Sequence, residues 1–175
     1  MKLNFKNVGV PALILFVICI VVTALLGTTN ELTKDIIAET NAANAAKTRM
    51  IVLPDAKDFE EADGYFIGKN GGEDVGYVFT TESGGYGGKV KVMTGIGSDG
   101  MIKGVAIISH AETPGLGANC TKDSFKDKFK QPAAELKVVK NKAAAEGEVE
   151  AMTGATITTN AVTNAVNEEI GRAHV

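Results

Sequence analysis

The sequence predicts an α+β fold: an antiparallel-sheet domain behind one N-terminal transmembrane helix. Three observations carry that prediction. No charged side chain occurs from Asn7 through Asn30. Two strand patterns, Lys89–Gly95 and Met101–Ser109, flank Ser98-Asp99-Gly100. Near the C-terminal end, Ala161, Val162, Ala165 and Val166 recur at helical spacing. Strands collected together and followed by a helix give an α+β arrangement.

Taken in order, the first element is the apolar run Val8–Leu26, which at about 1.5 Å per residue reaches the roughly 30 Å of a bilayer core. Residues 8–27 therefore read as a transmembrane helix. A cleavable signal peptide is the competing reading, because Lys2 and Lys6 precede the run. The run is long, however, and Leu26-Gly27-Thr28 offers no Ala-x-Ala site. Cys19 follows the bulky Ile18 and does not read as a lipidation site. Lys2 and Lys6 lie before the helix and Glu31, Lys34 and Asp35 after it, so the positive-inside bias places the N-terminus in the cytoplasm. The expectation is a single-pass protein of the cell inner or plasma membrane with its domain outside the cytoplasm.

Residues 28–54 read as a membrane-proximal helix and connector. Leu32, Ile36, Ile37 and Ala45 or Ala46 supply one face, and Pro54 ends the region. Residues 55–168 form the domain. Asp63-Gly64, Asn70-Gly71-Gly72 and Ser83-Gly84-Gly85 punctuate short strands such as Gly64–Gly68 and Val75–Thr80. Asp99-Gly100 between the next two strand patterns signals a hairpin. Phe125 and Phe129 sit one turn apart in Ser124–Lys130, which predicts a short helix with both rings in the core. Lys122, Lys126, Lys128 and Lys130 alternate with Asp123 and Asp127, the pattern of a solvated face.

Composition narrows the function classes. The chain has 175 residues, 45% of them hydrophobic, which suits one anchor and one modest domain. A net charge of −3 gives no support for nucleic-acid binding. Cys19 and Cys120 fall in the anchor and the domain, so a disulfide between them is implausible, and no metal-ligand spacing exists. His110 has no partner ligands in the sequence and reads as orienting the loop after it.

Two strings carry chemistry. The first is Met152-Thr153-Gly154-Ala155-Thr156. Gly154 and Ala155 leave the backbone uncrowded beside the Thr156 hydroxyl, and a helix follows, capped by Thr158, Thr159 or Asn160. A phosphate on Thr156 would then lie near free backbone N–H groups at a helix N-terminus. Threonines before a helix are ordinarily caps, so this string gains weight only with the second, His110-Ala111-Glu112-Thr113-Pro114-Gly115-Leu116-Gly117. Pro-Gly suits the central positions of a type II turn, and Gly117 permits close backbone approach. Such a loop can also press Leu116 against a planar ring while Glu112 and Thr113 offer polar atoms to its edge.

With Gly85-Tyr86-Gly87-Gly88 before a strand and the N-terminal membrane helix, these motifs resemble the FMN-binding G subunit of the Rnf complex and its relative, the C subunit of the sodium-translocating NADH:quinone oxidoreductase. The resemblance covers most of residues 1–168, and the order of motifs and the short chain favour the Rnf protein. It implies FMN attached by a flavin transferase, through a phosphoester, to Thr156, with Thr153, Gly154, Ala155, Glu112, Thr113, Pro114, Gly115, Leu116 and Gly117 around the cofactor. It also implies an electron-carrier subunit, with no catalytic side chain of its own, in an ion-translocating complex linking ferredoxin and NAD. The family's transferase pattern has Asp where this chain has Glu150, which moves the carboxylate outward by one methylene. Thr158 and Thr159 are competing hydroxyls. The quinone-reductase subunit and an anchored module without a cofactor, in which these strings are only a cap and a turn, remain as alternatives. Residues 169–175, Glu-Ile-Gly-Arg-Ala-His-Val, match what a common sequencing adapter encodes in one frame, so they read as a non-native tail.

Overall fold

The computed structural model describes residues 5–173. Lys2 and His174 lie outside the described residues, as do the side chains of residues 5–8 and 35–39, and with them Lys6, Asp35, Ile36 and Ile37. The chain divides into two units, Met1–Asn44 and Ala45–Val175.

The first unit is the larger part of α1 (Phe5–Val52). Its stretch Gly9–Lys34 has a mean hydropathy of 2.9 and buries nothing within the protein, leaving Leu13, Ile14, Leu15 and Phe16 exposed. By length and composition this helix is able to cross a membrane. Where the apolar run gives way to polar residues, Thr28 and Thr29 return their hydroxyls to the carbonyls of Ala24 and Leu25, at 3.0 and 2.8 Å. Sequence reading separates a transmembrane helix from a membrane-proximal one; the structure joins them, since Gly27 is too weak a breaker to interrupt the hydrogen-bond ladder. Helix α1 stops at Val52, just before Leu53-Pro54, where the proline disfavours helical geometry in the residue preceding it.

The second unit is built on a five-stranded antiparallel sheet in sequence order: β1 (Asp58–Ala62), β2 (Tyr65–Asn70), β3 (Glu73–Gly84), β4 (Lys89–Gly97) and β5 (Ile102–Ser109). Each glycine-marked turn expected from the sequence joins two of these strands, and Gly64, Gly71 and Gly100 adopt φ of +82°, +65° and +72°. One sheet face carries Phe79, Val90, Val92 and Ile96 against Ala161, Val162, Ala165 and Val166 of the C-terminal helix. The opposite face carries Val78, Met93 and Ala106 against Val52, Leu53 and Ala56. That second contact is close because the sheet offers glycine there. A Cβ on Gly95 would lie 2.2 Å from the Val52 carbonyl oxygen, and one on Gly68 would lie 2.4 Å from Leu53 Cδ2.

After β5 come a 3-10 turn (Gly117–Thr121), α2 (Asp123–Lys126) and a second 3-10 turn (Asp127–Phe129). Phe125 and Phe129 meet edge to face at 5.4 Å inside the main core. Lys126 and Lys130 pair with Asp123 and Asp127 at the surface. Strands β6 (Lys137–Val139) and β7 (Glu148–Glu150) form a small parallel ladder, and β7 leads into α3 (Thr156–Ala173). Glu169 and Ile170 of α3 are buried, so the packed body runs from Ala45 past residue 168.

Candidate functional site

The start of α3 is set by a tight turn. Ala155 N–H donates to the Met152 carbonyl at 3.0 Å, and Gly154 has φ +74°. The helix begins at Thr156, earlier than a cap at Thr158, Thr159 or Asn160 would allow. The reason is Thr159. Its hydroxyl accepts from Met152 N–H at 3.1 Å and donates to the Ala155 carbonyl at 3.0 Å, which ties the turn to the first helical turn. Thr158 is buried as well, and its hydroxyl donates to Glu112 Oε2 at 2.5 Å. Thr156 differs from both. It is half-buried, lines a cavity, and its hydroxyl has no hydrogen-bond partner among the described residues. The first-turn N–H groups of α3 beside it have no intrahelical acceptor.

A second tight turn faces the first. Leu116 N–H donates to the Thr113 carbonyl at 3.2 Å across Pro114 and Gly115, and Gly115 has φ +79°, as a type II turn requires. Leu116 Cδ2 approaches Gly154 so closely that a Cβ there would be 3.2 Å from it.

Glu112 stands behind both turns. Its Oε1 accepts from Gly87 N–H at 3.0 Å, its Oε2 from Thr158, and its own N–H donates to His110 Nδ1 at 3.2 Å. Burial opposes its charge, but the Thr158 hydroxyl, the Gly87 and Tyr86 N–H groups and His110 together prevail and hold the carboxyl below its ordinary range. Burial and the nearby Glu112 charge push the Cys120 thiol up to about 11, which makes it unreactive. Gly117, expected to allow close backbone approach, instead makes room for side chains: a Cβ there would lie 2.4 Å from Glu112 Oε2 and 2.6 Å from Thr158 Oγ1.

The cavity between the turns has a volume of about 540 Å³. Of the residues singled out in the sequence, Glu112, Thr113, Leu116 and Gly117 line one side, and Gly154, Ala155 and Thr156 the other. Thr153, Pro114 and Gly115 build the turns without lining the cavity. Three lining residues, Tyr86, Ile157 and Thr158, were not among those expected around the cofactor, although Thr158 had been named as a cap and competing hydroxyl. Tyr86 stands in the Gly85–Gly88 string, which is the signal that could have placed it. Tyr86, Leu116 and Ile157 are exposed apolar side chains gathered at one opening. Glu150 lies apart at the end of β7, where Lys128 pairs with its carboxylate at 3.1 Å. No cluster of three potential metal ligands occurs among the described residues. The arrangement offers an unengaged hydroxyl, free N–H groups that favour an anion, and apolar walls that accept a planar ring. Those are the features a tethered flavin phosphate needs.

Comparison with known proteins gives an independent view. Residues 85–170 match the model of the FMN-binding domain family, and residues 1–49 match that of the RnfG N-terminal region. The G subunit of the Na(+)-translocating ferredoxin:NAD(+) oxidoreductase complex of Acetobacterium woodii is 40% identical over 97% of this chain and 93% of its own. Its counterpart in the proton-translocating ferredoxin:NAD(+) oxidoreductase complex of Clostridium ljungdahlii is 35% identical over 89% of this chain and 86% of its own. The crystal structure of NqrC from Shewanella oneidensis superimposes with a TM-score of 0.55 at 22% identity, covering 70% of this chain and 67% of that one, so the fold is shared.

Proposed function

Because the chain belongs to the RnfG family of ion-translocating oxidoreductase subunits, we propose that Thr156 carries FMN as a phosphoester and that the cavity between the two turns receives its ring. The chain is a membrane-anchored electron-transfer subunit with an FMN-binding domain. The observation that carries the finer reading is the state of three hydroxyls. Thr158 and Thr159 are buried and engaged, whereas Thr156 faces the cavity without a partner.

In attachment, Thr156 Oγ would form a bond to the FMN phosphorus of a flavin dinucleotide donor as the donor's phosphoanhydride P–O bond breaks, with a nucleoside monophosphate leaving and the hydroxyl proton passing to solvent. A flavin transferase supplies this step, because a threonine hydroxyl is a weak nucleophile. The first turn of α3 then holds the phosphate charge with N–H groups and the helix dipole. Leu116 and Ile157 cover apolar ring surface, and Tyr86 stands at the same opening. Thr113 offers a hydroxyl toward the ring edge, while Thr153, Gly154, Ala155, Pro114, Gly115 and Gly117 give the two turns their shape. Bound FMN supplies the redox chemistry, taking up and releasing electrons. The chain supplies position and environment, and no acid–base residue is required of it.

The relatives are named as subunits of ferredoxin:NAD(+) oxidoreductase complexes. By that likeness the electrons pass between ferredoxin and NAD within a multi-subunit membrane assembly that moves ions. The domain lies outside the cytoplasm, where a covalent tether has a clear use because lost FMN could not be replaced from the cell's pool. The lysines ahead of the anchor support that orientation, and a topology reporter fused after residue 40 is expected to be active outside; activity inside would contradict it. The C subunit of the quinone reductase is the second reading. Its support is the shared fold, whereas the match over residues 1–49 favours the RnfG family.

The test is to express the chain with export and a flavin transferase and to view the denatured protein by in-gel fluorescence. The wild-type band is expected to fluoresce and the Thr156→Ala band to be dark. Fluorescence retained by Thr156→Ala would refute the acceptor assignment.

A further inference from the structure

Three segments far apart in the chain meet at one buried carboxylate. Glu112 accepts from Gly87 N–H in the β3–β4 connection and from the Thr158 hydroxyl in the first turn of α3. Glycine stands where those segments come closest. A Cβ on Gly85 would lie 2.4 Å from Glu112 Oε1, one on Gly117 2.4 Å from Oε2, and one on Gly87 2.0 Å from the Ala111 carbonyl oxygen. A buried charge is costly unless it is hydrogen-bonded, and both oxygens of Glu112 are engaged by donors from other segments.

We infer that Glu112 is the positioning residue of this site: its carboxylate clamps the β3–β4 connection and the first turn of α3 onto the Thr113–Leu116 turn. By engaging the Thr158 hydroxyl, it also leaves Thr156 as the hydroxyl of the first turn of α3 that is open to the cavity. Glu112 acts through Gly87 and Thr158, not by touching reacting atoms. The inference rests on reading the cavity as the flavin site, but the clamp is a property of the chain alone.

The groups that face Glu112 are His110 from the end of β5, Cys120 from the 3-10 turn, Thr158 from α3 and the Gly87 and Tyr86 N–H groups. None brings a competing anion, since the Cys120 thiol stays protonated. A carboxyl held below its ordinary range keeps the clamp closed above that range and releases it as pH falls through the depressed value.

The full chain in detergent tests this, with Glu112→Gln, Thr158→Val and the double variant. Without flavin, the Gly87 amide is expected to exchange with solvent deuterium about tenfold faster in Glu112→Gln, because its N–H then donates to a neutral amide oxygen and the charge that strengthened the bond is gone. The double variant should be no faster than Glu112→Gln. After FMN labelling by a flavin transferase, iodide quenching of wild-type flavin should stay constant from about pH 8 to about pH 5 and rise below the carboxylate range. In Glu112→Gln, quenching should be higher and flat with pH. Gly87 exchange unchanged in Glu112→Gln, or the same pH profile in both proteins, overturns the inference. Should Glu112→Gln not fold, Thr158→Val decides: raised quenching supports the clamp, and unchanged quenching overturns it. Wild-type protein that takes no flavin defeats the flavin reading, while Gly87 exchange still decides the clamp.

Discussion

Helix α3 has a cavity at each end, of about 540 Å³ at its start and about 520 Å³ at its finish, yet the two are chemically opposite. The first holds an unengaged threonine hydroxyl, free N–H groups and a carboxylate whose oxygens are both bonded. The second is walled by Tyr65, Tyr77 and Phe79, with Arg172 5.9 Å over the Phe79 ring. Close to that end, Glu169 is buried in the core without a hydrogen bond. Equal volumes therefore mean little. A site is distinguished by which polar groups are satisfied and which are left open, and at the first end Thr156 is left open where Thr158 and Thr159 beside it are satisfied.

The largest expected effect separates the two ends outright. Thr156→Ala should abolish covalent flavin, whereas Arg172→Ala at the other end should leave attachment complete. Equal labelling of both variants, measured by in-gel fluorescence against protein stain, would break the comparison.

The second expected effect concerns Glu169. Burial pushes its carboxyl up to about 8, and the Thr94 and Thr81 hydroxyls nearby offset this only partly, since neither makes a well-formed hydrogen bond to it. The folded value lies above the ordinary 4.5, so the group costs the fold nothing below that pH. The cost grows as pH rises and levels off above about 8. Glu169→Gln should therefore stabilise the domain by on the order of 2 to 3 kcal/mol at about pH 7, with little gain at about pH 4. Denaturant melts at the two pH values check this, and an equal gain at both would contradict it. Glu169 opens the segment read from the sequence as a non-native tail. The nucleotide read is its direct test.

These contrasts show where the sequence was legible. The Thr113–Leu116 turn could be read because its chemistry is local: Pro114-Gly115 announces a positive φ within four residues. The turn at Gly154 was not read, because a lone glycine before a helix gives no such pair and the threonines around it look like caps. The Ala161–Val166 face of α3 was legible, since its apolar period lies within one element. Strand β1 was not, because Asp-Phe-Glu-Glu-Ala on the sheet edge has no apolar alternation to detect. The joint role of Glu112 was hidden more deeply. Its partners lie 25 and 46 residues away, and neither a backbone N–H nor one threonine among several marks itself as a partner. The offer of polar atoms to the ring edge was read from the type of Glu112, whereas its bonds to Gly87 and Thr158 depend on the fold.

Smaller effects sharpen the picture within the first cavity. Gly154→Ala should cost about 1 kcal/mol or more, from φ +74° and from the Leu116 methyl 3.2 Å away. Gly115→Ala has the same backbone strain at φ +79° but nothing within 4 Å, so it should cost less. Thermal melts of the two unlabelled variants check the order, and an equal or reversed order would put the contact between the turns in doubt. Smallest in energy, Leu116→Ala and Thr113→Ala should leave Thr156 fully labelled yet shift the absorption or potential of the attached flavin. Unchanged spectra and potentials would reduce the Thr113–Leu116 segment to a turn.

Peptide mapping by mass spectrometry, on wild-type protein co-expressed with a flavin transferase, tests the central claim most directly. The account predicts one FMN phosphoester, located on Thr156, with Thr153, Thr158 and Thr159 unmodified. FMN mapped to Thr158 or Thr159, or a fully folded protein with no covalent flavin on any of the four, would contradict it.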